Sequence, residues 1–211
     1  MAEQGTRIND VGFNVAVVGA TGAVGREMLR TLEQRDFPIK NLRAMASSRS
    51  AGDELPFADT TVTVEDLEKA DFEGVDFGLF SAGSSVSLAH ADRAVEQGVI
   101  VIDNTSAFRM DPETPLVVPE VNPEEIVDEP GIIANPNCST IQMVVALKPL
   151  HDAVGLERVI VSTYQSASGA GQRGIDDLMK GLRARLDGDE DPAPEKFAHP
   201  LAFDVLPHGD V

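Results

Sequence analysis

A glycine-rich turn near the amino terminus constrains the fold of this 211-residue chain more than any other feature. The turn Gly19-Ala-Thr-Gly-Ala-Val-Gly25 follows a β-branched run over 14–19 and opens a segment with helical spacing over 21–33. A strand, a tight turn and a helix in this order can bind a dinucleotide pyrophosphate, because glycines allow close approach and the helix N-terminus offers free N–H groups. The alternative is a turn that only packs the helix. The residues expected to contact the cofactor here are Gly19, Thr21, Gly22, Ala23, Val24 and Gly25.

Strands and helices alternate along the chain as far as residue 151. Continuous apolar strands separated by helices are typical of βαβ units, in which a parallel sheet is covered on both faces. The sequence therefore predicts an α/β fold with a Rossmann-type, doubly wound parallel sheet. The predicted strands are 14–19, 42–46, 61–64, 75–80, 99–102 and 131–134, and the predicted helices are 21–33, 87–97 and 139–151.

A different pattern begins beyond residue 158. A long β-rich run covers 159–165, and a glycine-rich loop over 168–174 leads into a helix that ends near residue 186. We expect a strand at 159–165 and a second domain, with the boundary between 138 and 155.

The charge balance limits the class of partner. The chain has 35 acidic and 17 basic residues, a net charge of −18. A negative field of this size repels phosphodiester backbones, so no nucleic-acid partner is expected. An acidic, lysine-poor surface suits a protein working in high salt, and the alternative is an acidic surface that serves solubility alone. No apolar run is long enough to span a membrane, and the polar start lacks the order of a signal peptide, so we expect a cytoplasmic protein without a membrane partner.

The turn after the second predicted strand bears on the choice of cofactor. NAD-binding units place an acidic residue there for the ribose hydroxyls, but this chain has Ser47, Arg49 and Ser50. An arginine binds a 2′-phosphate through paired N–H donors, so NADP is predicted over NAD. The alternative is a polar turn with a solvated arginine. A further cofactor contact is expected at Ser81, Ala82 and Gly83, which follow the strand over 75–80.

The single cysteine, Cys138, lies between a predicted strand and a predicted helix. The free N–H groups and the dipole of a helix N-terminus favour the thiolate, which is the reactive form. The preceding Asn137 offers an amide donor to a developing oxyanion. A lone cysteine can instead be a buried, inert residue, so position alone leaves both interpretations open. No metal site is predicted.

Five motifs occur in a family-specific order: GATGAVG, ASSRSAG, DNTSAFRMD, NPNCST and YQSASGAG. Together they resemble the aspartate-semialdehyde dehydrogenase family over nearly the whole chain from Val15. The resemblance implies that Cys138 is the nucleophile, that Gln165 orients the acyl group, and that Arg109 binds phosphate with Asn137 nearby. It also implies cofactor contacts at Ser168 and Gly169. Without the family resemblance, Arg109 could equally be a salt-bridge partner, Gln165 a polar residue at a strand end and Asn137 a turn former.

The resemblance implies NADPH-dependent reduction of L-aspartyl-4-phosphate to L-aspartate-4-semialdehyde, with release of phosphate, on the route to lysine, methionine, threonine and diaminopimelate. The small-molecule partners are then an acyl phosphate, an aldehyde and phosphate. It further implies an NADP-binding domain at 1–138, the first part of an α+β catalytic and dimerisation domain at 139–211, and a homo-oligomer at full length.

The chain also departs from the family. Members are longer, and their later part supplies a carboxylate-binding arginine and an acid/base histidine that we assign to no residue here. We therefore expect a C-terminally truncated chain that does not complete the reaction alone. The alternatives are an N-acetyl-γ-glutamyl-phosphate reductase, which uses the same chemistry on a longer substrate, and a non-catalytic NADP-binding fragment.

Overall fold

A computed structural model describes residues 5–126 and 129–207. Within these ranges the chain forms strands, α-helices and two short 3₁₀ helices at Pro123–Glu125 and Ala167–Ala170. The strands are β1 (Thr6–Arg7), β2 (Phe13–Val18), β3 (Ile39–Ala46), β4 (Glu54–Phe57), β5 (Thr60–Asp66), β6 (Phe77–Phe80), β7 (Ile100–Asp103) and β8 (Gly131–Ala134). The α-helices are α1 (Ala23–Gln34), α2 (Ser84–Glu96), α3 (Cys138–Val154) and α4 (Gln172–Asp187).

The sheet has a parallel centre with the strand order β5-β3-β2-β6-β7-β8. Two antiparallel strands complete it, since β4 pairs with β5 and β1 pairs with β3. On one side of β2 lie β3 and then β5, and on the far side of β6 lie β7 and then β8. This is the order of a Rossmann-type sheet. The predicted fold class is confirmed.

Both faces of the sheet carry a hydrophobic core. Side chains alternate along β2, so Val15 and Val17 pack with Leu29 of α1, whereas Ala16 and Val18 belong to the cluster that contains Ala91 of α2. Each large apolar side chain buried in this way stabilises the fold by about 1.5–3 kcal/mol. The carboxyl ends of β2 and β6 are thereby held side by side.

The predicted secondary structure omits β1 and β4 and includes a strand that the structure lacks. The hairpin of β4 and β5 was predicted only in its second strand, because Pro56 and the short length of β4 hide its alternation. The strand predicted at 159–165 is wrong: no strand is assigned there, and Ile160 and Tyr164 are 87% and 89% exposed. A β-rich run becomes a strand only by pairing with a neighbour.

The chain divides into two compact units, residues 1–161 and 162–211. The first contains the sheet with α1, α2 and α3, and the second contains the 3₁₀ helix Ala167–Ala170 and α4. The predicted functional boundary at 138/139 stays a prediction. Among the described helices, none combines the length and apolar character needed to cross a membrane.

Candidate active site

The glycine turn is shaped by close main-chain contacts. Gly19 has φ of +87°, and a Cβ there would lie 2.9 Å from the main chain of Ala82. At Gly25 a Cβ would overlap the Gly19 carbonyl oxygen and lie 2.7 Å from the Cα of Ala20. The turn can therefore hold this path only with hydrogen at both positions, because a side chain at Gly19 would collide with the main chain after β6 and one at Gly25 would push α1 away from the turn.

Two helix N-termini face the same edge of the sheet. Gly22 is the N-cap of α1 and Gly83 is the N-cap of α2, and neither helix start has a side-chain capping bond. The main chain joins the two starts, since the Ser81 N–H donates to the Val18 carbonyl at 2.9 Å. Helix α1 starts after β2 and helix α2 starts after β6. These two strands are neighbours, and the strand order of the sheet reverses between them. This is the position at which open α/β sheets bind ligands, and uncapped N-termini there suit phosphates. The predicted cofactor residues that the structure brings to this edge are Gly19, Thr21, Gly22, Ala23, Val24, Gly25, Ser81, Ala82 and Gly83.

The turn after β3 continues this edge. Ser50 N–H donates to the Ser47 carbonyl at 2.9 Å, which closes the turn. Ser47 and Arg49 are exposed and Ser50 is half-buried. No hydrogen bond or ion pair holds the Arg49 side chain among the described residues. Its guanidinium is therefore free to bind an anion beside β2.

Cys138 is the first residue of α3, and its side chain is exposed. Asn137 caps this helix: its Oδ1 accepts the Ser139 N–H at 3.0 Å and the Ser139 hydroxyl at 2.6 Å. The cap uses the amide oxygen of Asn137 and leaves its N–H₂ group to donate elsewhere. The thiol is thus exposed in this chain, and its role as the nucleophile stays a prediction.

Arg109 is anchored by main-chain carbonyls. Its Nε donates to the Asn135 carbonyl at 2.9 Å, and its Nη2 donates to the Asn104 carbonyl at 3.1 Å. Within the described residues no carboxylate pairs with it, and its partners there are main-chain carbonyls. The guanidinium keeps its charge and its Nη1 donors for an external anion.

Two asparagines that sequence reasoning did not single out hold this arginine. Asn104 follows β7 and Asn135 follows β8, and the Asn135 Nδ2 donates to the Asn104 Oδ1 at 2.6 Å. The sequence feature that could have identified them is their position directly after two predicted strands, because the carboxyl ends of adjacent parallel strands meet at one edge of the sheet. The other predicted residues there, Asn137 and Cys138, follow β8 by a few positions.

The remaining predicted site residues belong to the second compact unit. Gln165 is exposed, and its Nε2 donates to the Thr163 hydroxyl at 3.0 Å. Ser168 and Gly169 form part of the 3₁₀ helix Ala167–Ala170. Their roles at the active site stay predictions. Of the four histidines, none of which we assigned, His208 lies outside the described residues.

Two family models match the sequence. The model described as "Semialdehyde dehydrogenase, NAD binding domain" matches residues 14–129, and "Semialdehyde dehydrogenase, dimerisation domain" matches residues 147–211. The glycine turn and Arg109 lie in the first match, and Gln165 lies in the second. Cys138 falls between them.

Relatives with known names agree with these matches. The aspartate-semialdehyde dehydrogenase of Aquifex aeolicus is 55% identical over 204 residues, which cover 95% of this chain and 60% of that protein. A solved structure of aspartate semialdehyde dehydrogenase II from Vibrio cholerae, complexed with ASA, is 50% identical with a TM-score of 0.92, and the match covers 96% of this chain and 60% of that chain. The enzyme of Candida albicans, solved with NADP, is 30% identical with a TM-score of 0.59, over 68% of this chain and 48% of that chain.

The chain thus spans about 60% of the length of the Aquifex relative that it matches. The similarity to this relative covers 95% of the chain, and the nucleotide-binding match alone covers residues 14–129. The resemblance inferred from the motifs is confirmed: the chain belongs to the aspartate-semialdehyde dehydrogenase family.

Proposed function

We propose that this chain carries the NADP-binding and nucleophile-bearing part of an aspartate-semialdehyde dehydrogenase. The reaction is the reversible, NADPH-dependent reduction of L-aspartyl-4-phosphate to L-aspartate-4-semialdehyde and phosphate, on the route to lysine, methionine, threonine and diaminopimelate. One observation carries the proposal. An exposed cysteine begins α3, three residues beyond the carbonyl of Asn135 that anchors an arginine with no acidic partner among the described residues.

The residues of the glycine turn fit a dinucleotide. The absence of a Cβ at Gly19 and Gly25 lets the turn pass close to Ala82 and Ala20, and the starts of α1 and α2 present N–H groups without side-chain caps. These groups would hold the pyrophosphate. The cofactor, when bound, supplies the hydride that the reaction needs.

The turn after β3 supports NADP as the form used. The residues from Ala46 to Gly52 contain no carboxylate to accept ribose hydroxyl bonds, and Arg49 has a free guanidinium with Ser47 and Ser50 beside it. A 2′-phosphate would satisfy these donors, whereas NAD would leave the arginine unpaired. The NADP bound in the Candida albicans relative agrees with this assignment.

The chain's own residues account for the covalent steps. The Cys138 thiolate attacks the acyl carbon, a sulfur–carbon bond forms, the carbon–oxygen bond to the phosphoryl group breaks, and inorganic phosphate leaves. Arg109 neutralises the phosphate as it departs, and the Asn137 amide donates to the carbonyl oxygen while that oxygen carries negative charge. Gln165 orients the acyl group on the sulfur. After reduction of the thioester, the carbon–sulfur bond breaks and Cys138 leaves as a thiolate when the aldehyde forms.

Acyl transfer to Cys138 tests this proposal. The chain and a version extended to the length of its relatives are incubated with L-aspartyl-4-phosphate, and the acyl adduct is located by mass spectrometry. We expect an adduct on Cys138, none in Cys138→Ser, and much faster NADPH oxidation in the extended version than in the 211-residue chain. General acid–base assistance is worth about 10²–10⁴ in rate, so a chain lacking those groups falls behind by that margin.

Two results would refute the proposal. The first is an extended version that forms no adduct on Cys138. The second is faster reaction with N-acetyl-γ-glutamyl phosphate than with aspartyl phosphate, which would favour the reductase. Iodoacetamide labelling of Cys138 in the native chain is the control, because it reports access to the thiol without requiring the phosphate site.

The proposal extends to assembly and location. The second family match carries the description of a dimerisation domain, which supports a homo-oligomer for the protein at the length of its relatives. A free, exposed thiol persists best in a reducing compartment, which supports a cytoplasmic location. The elution volume of the extended version on a calibrated column tests the first statement.

A further inference from the structure

A buried carboxylate, that of Asp103, lies next to the segment that anchors Arg109. Asp103, the last residue of β7, is 0% exposed. One of its oxygens accepts the Ser87 hydroxyl of α2 at 2.6 Å, and the other accepts the Thr105 hydroxyl at 2.7 Å. Among the described residues no cation pairs with it. Burial of a carboxylate is costly unless its hydrogen bonds are satisfied, so the two hydroxyls are needed to keep it there.

The side chain of Asp103 fixes the first carbonyl that anchors Arg109. Thr105 donates to Asp103 and its hydroxyl accepts the Ala107 N–H at 3.1 Å, which holds the main chain on both sides of Thr105. Asn104 lies between Asp103 and Thr105. The direction of the Asn104 carbonyl, which accepts the Arg109 Nη2, is therefore held by the Thr105 hydroxyl bonds together with the bond from the Asn104 N–H to the Phe80 carbonyl at 2.9 Å.

The main chain of Asp103 fixes the second anchor. Asn135 donates its N–H to the Asp103 carbonyl at 2.8 Å. The Asn135 carbonyl then accepts the Arg109 Nε. Both carbonyls that orient the guanidinium thus depend on Asp103, one through its side chain and one through its carbonyl.

We propose that Asp103, with Thr105 and Ser87, is a positioning residue that aims the Arg109 guanidinium at the phosphate of the substrate. This inference rests on the proposed function, in which Arg109 binds that phosphate. Asp103 does not touch the substrate. It acts by removing rotational freedom from the arginine, so that less freedom is lost when the anion binds.

Inorganic phosphate titrated into the 211-residue chain is the probe, with the dissociation constant taken from the main-chain amide NMR shifts of residues 104–109, which every variant retains. Thr105→Val removes the hydroxyl with little change of shape, and we expect phosphate binding to weaken about tenfold. The Arg109 Nε–H should also exchange faster with water. Thr105→Ser keeps a hydroxyl and should restore binding to within about twofold of wild type. Asp103→Asn, which removes one acceptor, should weaken binding in the same direction.

Thr114→Val is the matched control. Thr114 donates to the Asp111 carboxylate at 3.1 Å, another Thr–Asp pair in the same loop, but this pair does not set a carbonyl that anchors Arg109. Phosphate affinity in Thr114→Val should equal that of wild type. Unchanged amide signals from β2 show that each variant is folded.

The outcomes separate the two proposals. If neither wild type nor Arg109→Ala binds phosphate, or both bind it equally, the phosphate role of Arg109 falls and this inference falls with it. If Arg109→Ala loses binding but Thr105→Val binds like wild type, only the positioning role is overturned. If Thr105→Val and Thr114→Val weaken binding equally, the effect is a general softening of the loop, and the specific role of Asp103 is refuted.

Discussion

Strand β2 and the segment 159–164 have similar sequences and very different surroundings. Both are rich in β-branched residues, but Val15 to Val18 are at most 1% exposed, whereas Val159 is 48% and Ile160 is 87% exposed. Strand β2 pairs with β3 on one side and β6 on the other, and α1 and α2 cover its two faces. The difference shows that a β-branched sequence forms a buried strand only where neighbouring strands and a covering layer are available.

Burial also differs between α1, which follows the glycine turn, and α3, which begins with Cys138. Helix α1 buries Gly25 and Leu29 against the sheet, whereas α3 has no fully buried residue, and its Leu150 and Val154 are 54% and 78% exposed. The cofactor edge is therefore fixed by the core, whereas the helix that begins with Cys138 is held mainly by its start. The side-chain cap that Asn137 provides consequently matters for the position of Cys138, whereas α1 has no side-chain cap and is held by the core.

The largest expected effect is at the glycine turn. Gly25→Ala adds a methyl group that overlaps the Gly19 carbonyl oxygen, and the loss should be about 3 kcal/mol in the free energy of unfolding despite better helix propensity. Urea unfolding followed by circular dichroism measures it. Gly22→Ala, whose Cβ would lie 3.3 Å from the same oxygen, is the control and should retain most of the stability. Equal midpoints for wild type and Gly25→Ala would show that α1 is not pressed onto the turn.

A matched pair of valines tests the comparison of β2 with 159–164 directly. Val17→Ala leaves a cavity at a fully buried position and should cost about 2 kcal/mol. Val161→Ala removes the same atoms at a position that is 58% exposed and should change stability by less than about 0.5 kcal/mol. Equal losses for the two variants would mean that 159–164 is packed like a strand.

The smallest expected effect is a pH-dependent loss of local stability in the segment 195–197. The main-chain N–H groups of Glu195, Lys196 and Phe197 donate to the Asp177 carboxylate and hold its pKa below the ordinary value. Because the folded pKa is the lower one, the bonds stabilise the segment 195–197 at neutral pH. This stabilisation is lost as the pH falls below about 3.9 and through the lowered pKa.

Amide NMR shifts of 195–197 measured against pH check this expectation. In wild type they should stay constant near neutrality and move together in acid. Asp177→Asn should show the altered shifts at every pH, whereas Asp187→Asn, at an exposed position of the same helix, should behave like wild type. Shifts that are independent of pH would contradict the role given to Asp177.

The sequence allowed most of the nucleotide-binding sheet to be predicted, because its strands and helices alternate and glycines mark the turn. The strand predicted at 159–165 failed because its sequence carries no information about whether a partner strand is present. Asn104 and Asn135 were missed for a related reason. Their function is to present main-chain carbonyls to Arg109, and that role exists only once β7 and β8 are adjacent.

The central claim is that the edge shared by β2, β3 and β6 is an NADP site, and calorimetric titration of the unmodified chain with NADP and NAD in parallel tests it most directly. We expect NADP to bind more tightly than NAD. Arg49→Ala should lose about 1.5–3 kcal/mol of NADP affinity with little effect on NAD, and Arg35→Ala, an exposed arginine at the end of α1, should lose none. Equal affinity of the unmodified chain for the two cofactors would contradict the role of Arg49, and failure to bind either would contradict the site itself.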